Sequence, residues 1–240
     1  MAGDKILVLG GTGPAGVCVL RELAHRGLPM IVYARSPSKI PSDLASDVLV
    51  EVIKGDMNDR EALSTAVAKS KAIISLLGPN SMRQPKNTEY ADYYRTTISL
   101  MEKHGVRRLF ALGTTAIYQP EDHSSVSRFL MARLIKLLAG GAYHNFLAIQ
   151  ELFERDQVAR DIDWTVFRVG NLSGSAEAED WKTERGNGAA YAGPVAGSGW
   201  TNGITRSTLA KWLVDGVENG AQEWIHQMPA VSELAGDKAK

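Results

Sequence analysis

A single cysteine, Cys18, stands among 240 residues, so no internal disulfide can form and a cross-linked secreted scaffold is excluded. Neither sign of charge is in excess, because 27 Lys and Arg balance 27 Asp and Glu. Backbone binding of nucleic acid draws its affinity from clustered cations. The densest basic pair, Arg107 and Arg108 with Lys103 and His104 nearby, reads instead as a solvated helix end, so no nucleic-acid partner is expected. No apolar run approaches the roughly 18 residues of a membrane span, and Met1 to Leu9 lacks a secretory-signal layout. A cytoplasmic protein with no membrane partner is expected. His25, His104, His123, His144 and His226 are dispersed with no i, i+4 ligand pair, which argues against a metal site. At 44% hydrophobic residues the chain is not disordered, and at about 150 residues per domain its length points to one large domain or one with a small appendage.

What is present is a repeated alternation. Lys5 to Leu9 (KILVL) is all apolar and stops at glycines, as a strand buried on both sheet faces does. Helical spacing follows through Val17, Leu20 and Leu23 and ends at Gly27, a suitable C-terminal cap. Further strands are expected at Met30–Ala34, Val48–Ile53, Ala72–Leu77, Arg108–Leu112 and Trp164–Val169, and a last one near Glu223–Gln227. Helices are expected over 59–69, 88–104, 125–139, 143–160 and 205–219. Such alternation implies right-handed crossovers and a doubly wound, mostly parallel α/β sheet of the Rossmann type. Residues 171–203, rich in Gly, Ser and Ala, read as loops and short strands around a cleft. The expected organisation is a single unit, with 1–160 mainly on the cofactor side and 161–240 mainly on the substrate side.

Immediately after the first strand comes Gly10-Gly11-Thr12-Gly13-Pro14-Ala15-Gly16, which runs straight into a helix. Glycines permit a tight turn and close backbone approach, and the helix N-terminus offers N–H groups to a pyrophosphate. At the end of the second strand an acid would accept from the ribose 2′-OH of NAD, whereas a cation accommodates a 2′-phosphate. That residue is Arg35, followed by Ser36 and Lys39, so NADP(H) is the expected dinucleotide. Asp56 and Met57, after the third strand, suit an adenine, although Asp56 could instead cap the next helix, a role open also to Asn58 and Asp59. Leu77 and Gly78, after the fourth, let backbone approach the ribose.

GGTGPAG, YARSPSK, GDMND, SLLGP, DWTVFRVGNL and ITRSTLAKWLVDGVENG together resemble the atypical short-chain dehydrogenase/reductases of the NmrA-like, NAD(P)H-binding type. The resemblance covers nearly the whole chain. It implies a Rossmann sheet with a small C-terminal substrate region and NADP(H) binding, in a family of reductases, redox-sensing regulators and natural-product enzymes. Gly10, Gly13 and Gly16 would be its pyrophosphate glycines, with Thr12, Pro14 and Ala15 lining the turn. Arg35 would hold the 2′-phosphate, Asp56 and Met57 the adenine, and Leu77 and Gly78 the ribose. Thr114 and Thr115 stand where such reductases place serines.

The departures concern chemistry. Active members of the wider superfamily carry Tyr-x-x-x-Lys, in which lysine lowers the tyrosine pKa for proton exchange with the substrate oxygen. Here the stretch reads Tyr143-His144-Asn145-Phe146-Leu147. No lysine occurs in 137–181, and counting back from Asp163-Trp164 puts the usual lysine nearer Gln150. After the sixth strand the family's Arg-Pro-Gly becomes Arg168-Val169-Gly170-Asn171. Tyr143, His144 and Thr115 are the remaining catalytic candidates, with surface or packing roles as the alternative for Tyr143 and His144. Direct hydride transfer would need no assigned acid. Cys18 reads as a small buried hydrophobe, and Ser173 lacks the context of a hydrolase elbow.

On the substrate side, Tyr118, Asn171 and Trp200 are candidate contacts, and Trp181 and Tyr191 are expected to help frame the pocket. Phe129, Leu130, Arg133, Leu134, Leu137 and Leu138 form an amphipathic stripe for core, substrate mouth or dimer contact. A monomer or homodimer with a small-molecule substrate is expected. Three functions compete: an NADPH-dependent oxidoreductase acting on a small carbonyl, enone or aromatic compound; a non-redox isomerase, dehydratase or cyclase of secondary metabolism; and an NADP(H)-sensing regulator.

Overall fold

Apolar five-residue runs that a sheet buries from both sides set the centre of the molecule. β1 (Lys5–Leu9) and β2 (Met30–Ala34) pair in parallel and carry almost no exposed residue. The computed structural model describes residues 3–79, 81, 84–123, 139–156, 159–219 and 222–236. β3 (Val50–Lys54), β4 (Ser70–Ser75), β5 (Arg108–Thr114), β6 (Asp163–Val169), β8 (Ala190–Gly193) and β10 (Ala230–Glu233) complete an eight-stranded sheet of order β3-β2-β1-β4-β5-β6-β10-β8. All neighbours are parallel except β8, which lies antiparallel on the β10 edge. β7 (Asn171–Ser173) and β9 (Gly203–Thr205) form a separate parallel pair.

Helices cover both faces. On one face α1 (Pro14–His25), α6 (Ala178–Glu184) and α7 (Arg206–Glu218) bury Val17, Leu20, Trp181 and Leu213 against Ile6, Val8, Phe110 and Phe167. On the other, α3 (Arg60–Ala68), α4 (Glu89–His104) and α5 (Gly140–Arg155) bury Leu63, Tyr94, Ile98 and Phe153 against Leu7, Ile73 and Leu109. α2 (Ser42–Ala45) is one short turn beside β3. Local chemistry sets the helix ends. Pro14 starts α1 where its missing N–H costs nothing. Gly27 ends it at φ +69 while Leu28 N–H donates to Leu23 O at 3.0 Å. Asp59, rather than Asp56, caps α3 by accepting from Ala62 N at 3.0 Å.

The doubly wound Rossmann-type sheet is therefore as expected, with three local corrections. The stretch expected as a strand near Glu223–Gln227 is a 3₁₀ turn at Gln222–Trp224, and the strand forms at Ala230–Glu233. A strand inserted between β6 and β8 must be buried on both faces, which the small Ala230, Val231 and Ser232 allow and Glu223, His226 and Gln227 do not. The helix expected over 143–160 spans Gly140–Arg155, so Tyr143 sits in its first turn. Within 171–203 the short strands are joined by α6, and β8 extends the main sheet. The stripe from Phe129 to Leu138, with most of the helix expected over 125–139, lies outside the described residues.

Candidate functional site

β1 runs between β2 and β4, so the chain order reverses there and a crevice opens beyond the carboxyl ends of the strands. Its volume is about 410 Å³, and Gly10, Thr12, Gly13, Pro14, Arg35, Asp56, Met57, Leu77 and Gly78 line it together with Tyr33, Lys39 and Tyr90. Slightly larger hollows of about 480 and 460 Å³ lie between α4 and α5 and beside Met57. In the first of these Arg95 is already paired with Asp92 and Asp156, so size alone does not mark the site.

The three loop glycines do different things. Gly10 takes φ +80, a conformation that L side chains rarely adopt. A Cβ on Gly16 would lie 2.3 Å from Gly10 O and 2.6 Å from Gly11 Cα, so this glycine lets α1 press onto the turn. Gly13 is required by neither cause. Its backbone is ordinary, with φ −81 and ψ 161, and a Cβ there would meet nothing nearer than Gly10 O at 3.6 Å. The space its missing side chain leaves belongs to the crevice, at the N-terminus of α1 where the helix dipole favours an anion. This open cradle fits a dinucleotide pyrophosphate. Ala15 and Gly16 support the turn and are not among the residues that line the crevice.

At the β2 end, Arg35, Ser36 and Lys39 are exposed along the crevice. The floor beside them is pinned by Tyr33, whose hydroxyl donates to Asp56 O at 2.7 Å, and burial together with Asp59 and Asp56 pushes this phenol up to about 12. Gly55 makes room for it, since a Cβ there would lie 2.2 Å from the Tyr33 oxygen. Asp56 folds one carboxylate oxygen onto Asn58 N at 2.7 Å, next to Met57. On the β4 side the buried Tyr94 hydroxyl donates to Leu77 O at 3.0 Å and accepts from Ser75 Oγ at 3.0 Å and Leu112 N at 3.2 Å. One phenol thus ties the turn after β4 to the backbone of β5.

The catalytic candidates are less converged. Tyr143 and His144 are half-buried in the first turn of α5 and do not line the crevice. α5 instead packs Phe146 behind Gly78, with ring carbons 3.2 and 3.3 Å from where a Gly78 Cβ would stand. Gln150, four residues on, donates to Glu154 at 2.8 Å. Thr115 follows β5, its N–H donating to Val169 O at 3.2 Å, and its hydroxyl lies 3.3 Å from a Cβ position on Gly170, whose other neighbour is Asn202. Tyr118 is 57% exposed. Asn171 is exposed on β7 with its N–H donating to Asn202 O at 2.9 Å, and Trp200 is half-buried. Trp181 does not frame a pocket: it is buried under α1 with its ring edge-on to His25 at 5.9 Å, because α6 turns it toward the core. Tyr191 donates to Pro194 O at 2.8 Å. Cys18 is fully buried, and burial pushes its thiol up to about 11, which leaves it inert.

One buried ion pair was not legible in the sequence. Arg168 on β6 forks onto Asp122 at 2.7 and 2.8 Å, and both are almost fully buried. Arg168 also donates to Met228 O at 2.6 Å and Ile117 O at 3.1 Å, while Asp122 accepts from Gln119 N at 2.9 Å and Val195 N at 2.8 Å. Burial alone would raise the Asp122 carboxyl, but Arg168 and the two backbone donors outweigh it and hold it at about 2. The sequence marked Arg168 as a charged residue in a largely apolar strand and as the start of the family's Arg-Pro-Gly position, and nothing in it pointed to Asp122.

A parallel doubly wound sheet with an open glycine turn at its switch point defines a dinucleotide-binding protein. The model of the NAD(P)H-binding family matches residues 10–219, and the chain belongs to that family, as the NmrA-like resemblance implied. Over 115 residues it is 33% identical to an isoflavone reductase homologue of Zea mays and 29% identical to eugenol synthase 1 of Petunia hybrida. Each alignment covers 45% of this chain and 34% of the relative, so the chain matches about a third of the length of these curated relatives. A short-chain dehydrogenase/reductase of Veillonella parvula, solved in complex with NADP, superposes with a TM-score of 0.70 at 15% identity, covering 98% of this chain and 97% of that one. The fold is shared with that structure, and no helix among the described residues is long and apolar enough to cross a membrane.

Proposed function

We propose that the protein is an NADPH-dependent oxidoreductase acting on a small carbonyl, enone or aromatic substrate. The observation that carries this reading is the crevice itself: an open Gly13 cradle at one end, and Arg35, Ser36 and Lys39 with no carboxylate at the end of β2. A forked guanidinium contact to a 2′-phosphate contributes roughly 1.5–3 kcal/mol, about 10- to 100-fold preference for NADPH over NADH. The NADP named with the Veillonella parvula structure and the reductase named among the relatives agree with it.

When bound, such a cofactor supplies a hydride. The chain supplies the rest. Gly10, Gly13 and Gly16, with Thr12, Pro14 and Ala15, shape the pyrophosphate turn, Arg35 holds the 2′-phosphate, Asp56 and Met57 meet the adenine, and Leu77 and Gly78 meet the ribose. Thr115 is the candidate to donate its hydroxyl to a substrate oxygen, Tyr118, Asn171 and Trp200 are the candidate substrate contacts, and Tyr143 and His144 are the proton-donor candidates. Where a tyrosine and lysine would form the superfamily dyad, Phe146 and Gln150 offer no acid. A substrate whose reduced form takes its proton from solvent suits this site best.

Calorimetric titration with NADPH, NADP⁺ and NADH, on the wild-type chain and Arg35→Ala, tests the cofactor reading. NADPH oxidation over a carbonyl, quinone and flavin panel tests the reaction. Tight, selective NADPH binding without any oxidation above the blank would overturn the reductase reading in favour of a non-redox or sensing role.

A further inference from the structure

The Arg168–Asp122 pair gathers distant segments at the carboxyl ends of β5 and β6. The loop 115–123 is held through Ile117 O, Gln119 N and Asp122, the turn 194–197 through Val195 N, and the lead-in to β10 through Met228 O. His123 N–H returns to Val195 O at 3.0 Å, and Gln119 Nε2 reaches Glu154 on α5 at 2.7 Å and Met228 Sδ at 3.3 Å. Thr115 and Tyr118 both lie on the loop so fixed. An ion pair of this kind is a poor source of net stability, because apolar residues of similar volume often serve as well or better. What it supplies here is directional: six specific donor–acceptor contacts among four segments.

We propose that Arg168 and Asp122 are the positioning pair of the reductase site, locking the 115–123 loop, the 194–197 turn and the β10 lead-in into one rigid substrate wall and so fixing where Thr115 and Tyr118 face the substrate. Neither residue lines the cofactor crevice, so an effect on substrate with NADPH affinity retained is expected. The proposal rests on the reductase reading for its kinetic part only.

The test uses the full chain as wild type, as Asp122→Asn, and as the double variant Asp122→Leu with Arg168→Met, which removes the buried charges together and preserves the fold where the single variant strands one. NADPH affinity by calorimetry is expected to stay within about twofold in both variants. With phenanthrenequinone as the probe, KM is expected to rise about tenfold or more while kcat falls less than about threefold, the signature of lost substrate positioning. Hydrogen exchange at Gln119, His123 and Val195 is expected to accelerate in the double variant while β1 and α1 keep their protection. Unchanged exchange at those three amides, or loosening spread evenly over the sheet, overturns the proposal. If the wild-type chain oxidises no NADPH over the carbonyl, quinone and flavin panel, the reductase reading fails while the exchange pattern still decides whether the wall is locked. Equal loss of kcat and kcat/KM, or loss of NADPH binding, overturns the positioning role.

Discussion

The two ends of the site are built in opposite ways. The cofactor end is a set of turns, each directly following its own strand: Gly10 to Gly16 after β1, Arg35 after β2, Asp56 and Met57 after β3, Leu77 and Gly78 after β4. Every turn carries its own chemistry within a few residues. The proposed substrate end is assembled from pieces more than a hundred residues apart in places, with Gln119 meeting Met228 and Asp122 meeting Val195. Parallel topology brings the strand ends to one edge automatically, whereas the wall over β5 and β6 exists only through side-chain contacts between distant segments.

The sharpest way to break that contrast is at Gly13. Because nothing in the protein occupies its Cβ position, Gly13→Val is expected to leave Tm within about 2 °C yet weaken NADPH about 100-fold or more by filling the cradle. Gly16→Val is expected to lower Tm itself, since its side chain collides with Gly10 O. Equal effects on Tm would erase the distinction between a ligand cradle and a packing glycine.

A smaller effect is expected at the phosphate end, where Arg35→Ala should weaken NADPH about 10- to 100-fold and leave NADH nearly unchanged. Parallel loss for both cofactors in a calorimetric titration would remove the 2′-phosphate role. On the substrate side, acid stability reports the buried pair. Asp122 is held at about 2 against an ordinary 3.8, so the folded state binds its proton less readily than the unfolded chain. Its stabilisation is complete above about pH 4, fades as pH falls toward 2, and amounts to about 2 kcal/mol. Chemical denaturation over that range should show wild type losing about 2 kcal/mol relative to the double variant as pH falls, and parallel pH curves would contradict it. The smallest effect is expected at α5, where Tyr143→Phe and His144→Ala should each change kcat less than about threefold if solvent supplies the proton. A loss of about 100-fold at either residue would make that side chain the donor.

How far the sequence carried varies with how local the cause was. Alternating buried strands and helices, the glycine turn and the basic end of β2 are short-range patterns, and the sheet they implied is the one that forms. β10 escaped notice because Ala230, Val231 and Ser232 have little strand signature of their own and are strands only because β6 and β8 flank them. Trp181 looked like a pocket wall because an aromatic in a glycine-rich stretch gives no hint of the short helix that turns it inward. Asp59's capping of α3 was among the alternatives that spacing left open, and hydrogen-bond geometry chose it.

The sequence by itself determined the doubly wound fold and most of the residues that gather at the crevice, because in a parallel sheet the residues just after each strand arrive at one edge whatever else the chain does. Tertiary structure alone decided that Phe146 packs against Gly78, that Gly13 is open while Gly16 is closed, and that Arg168 meets Asp122. These outcomes depend on helix rotation, on atoms within about 4 Å of one another and on partners distant in the chain, and no spacing along a single strand or helix encodes them.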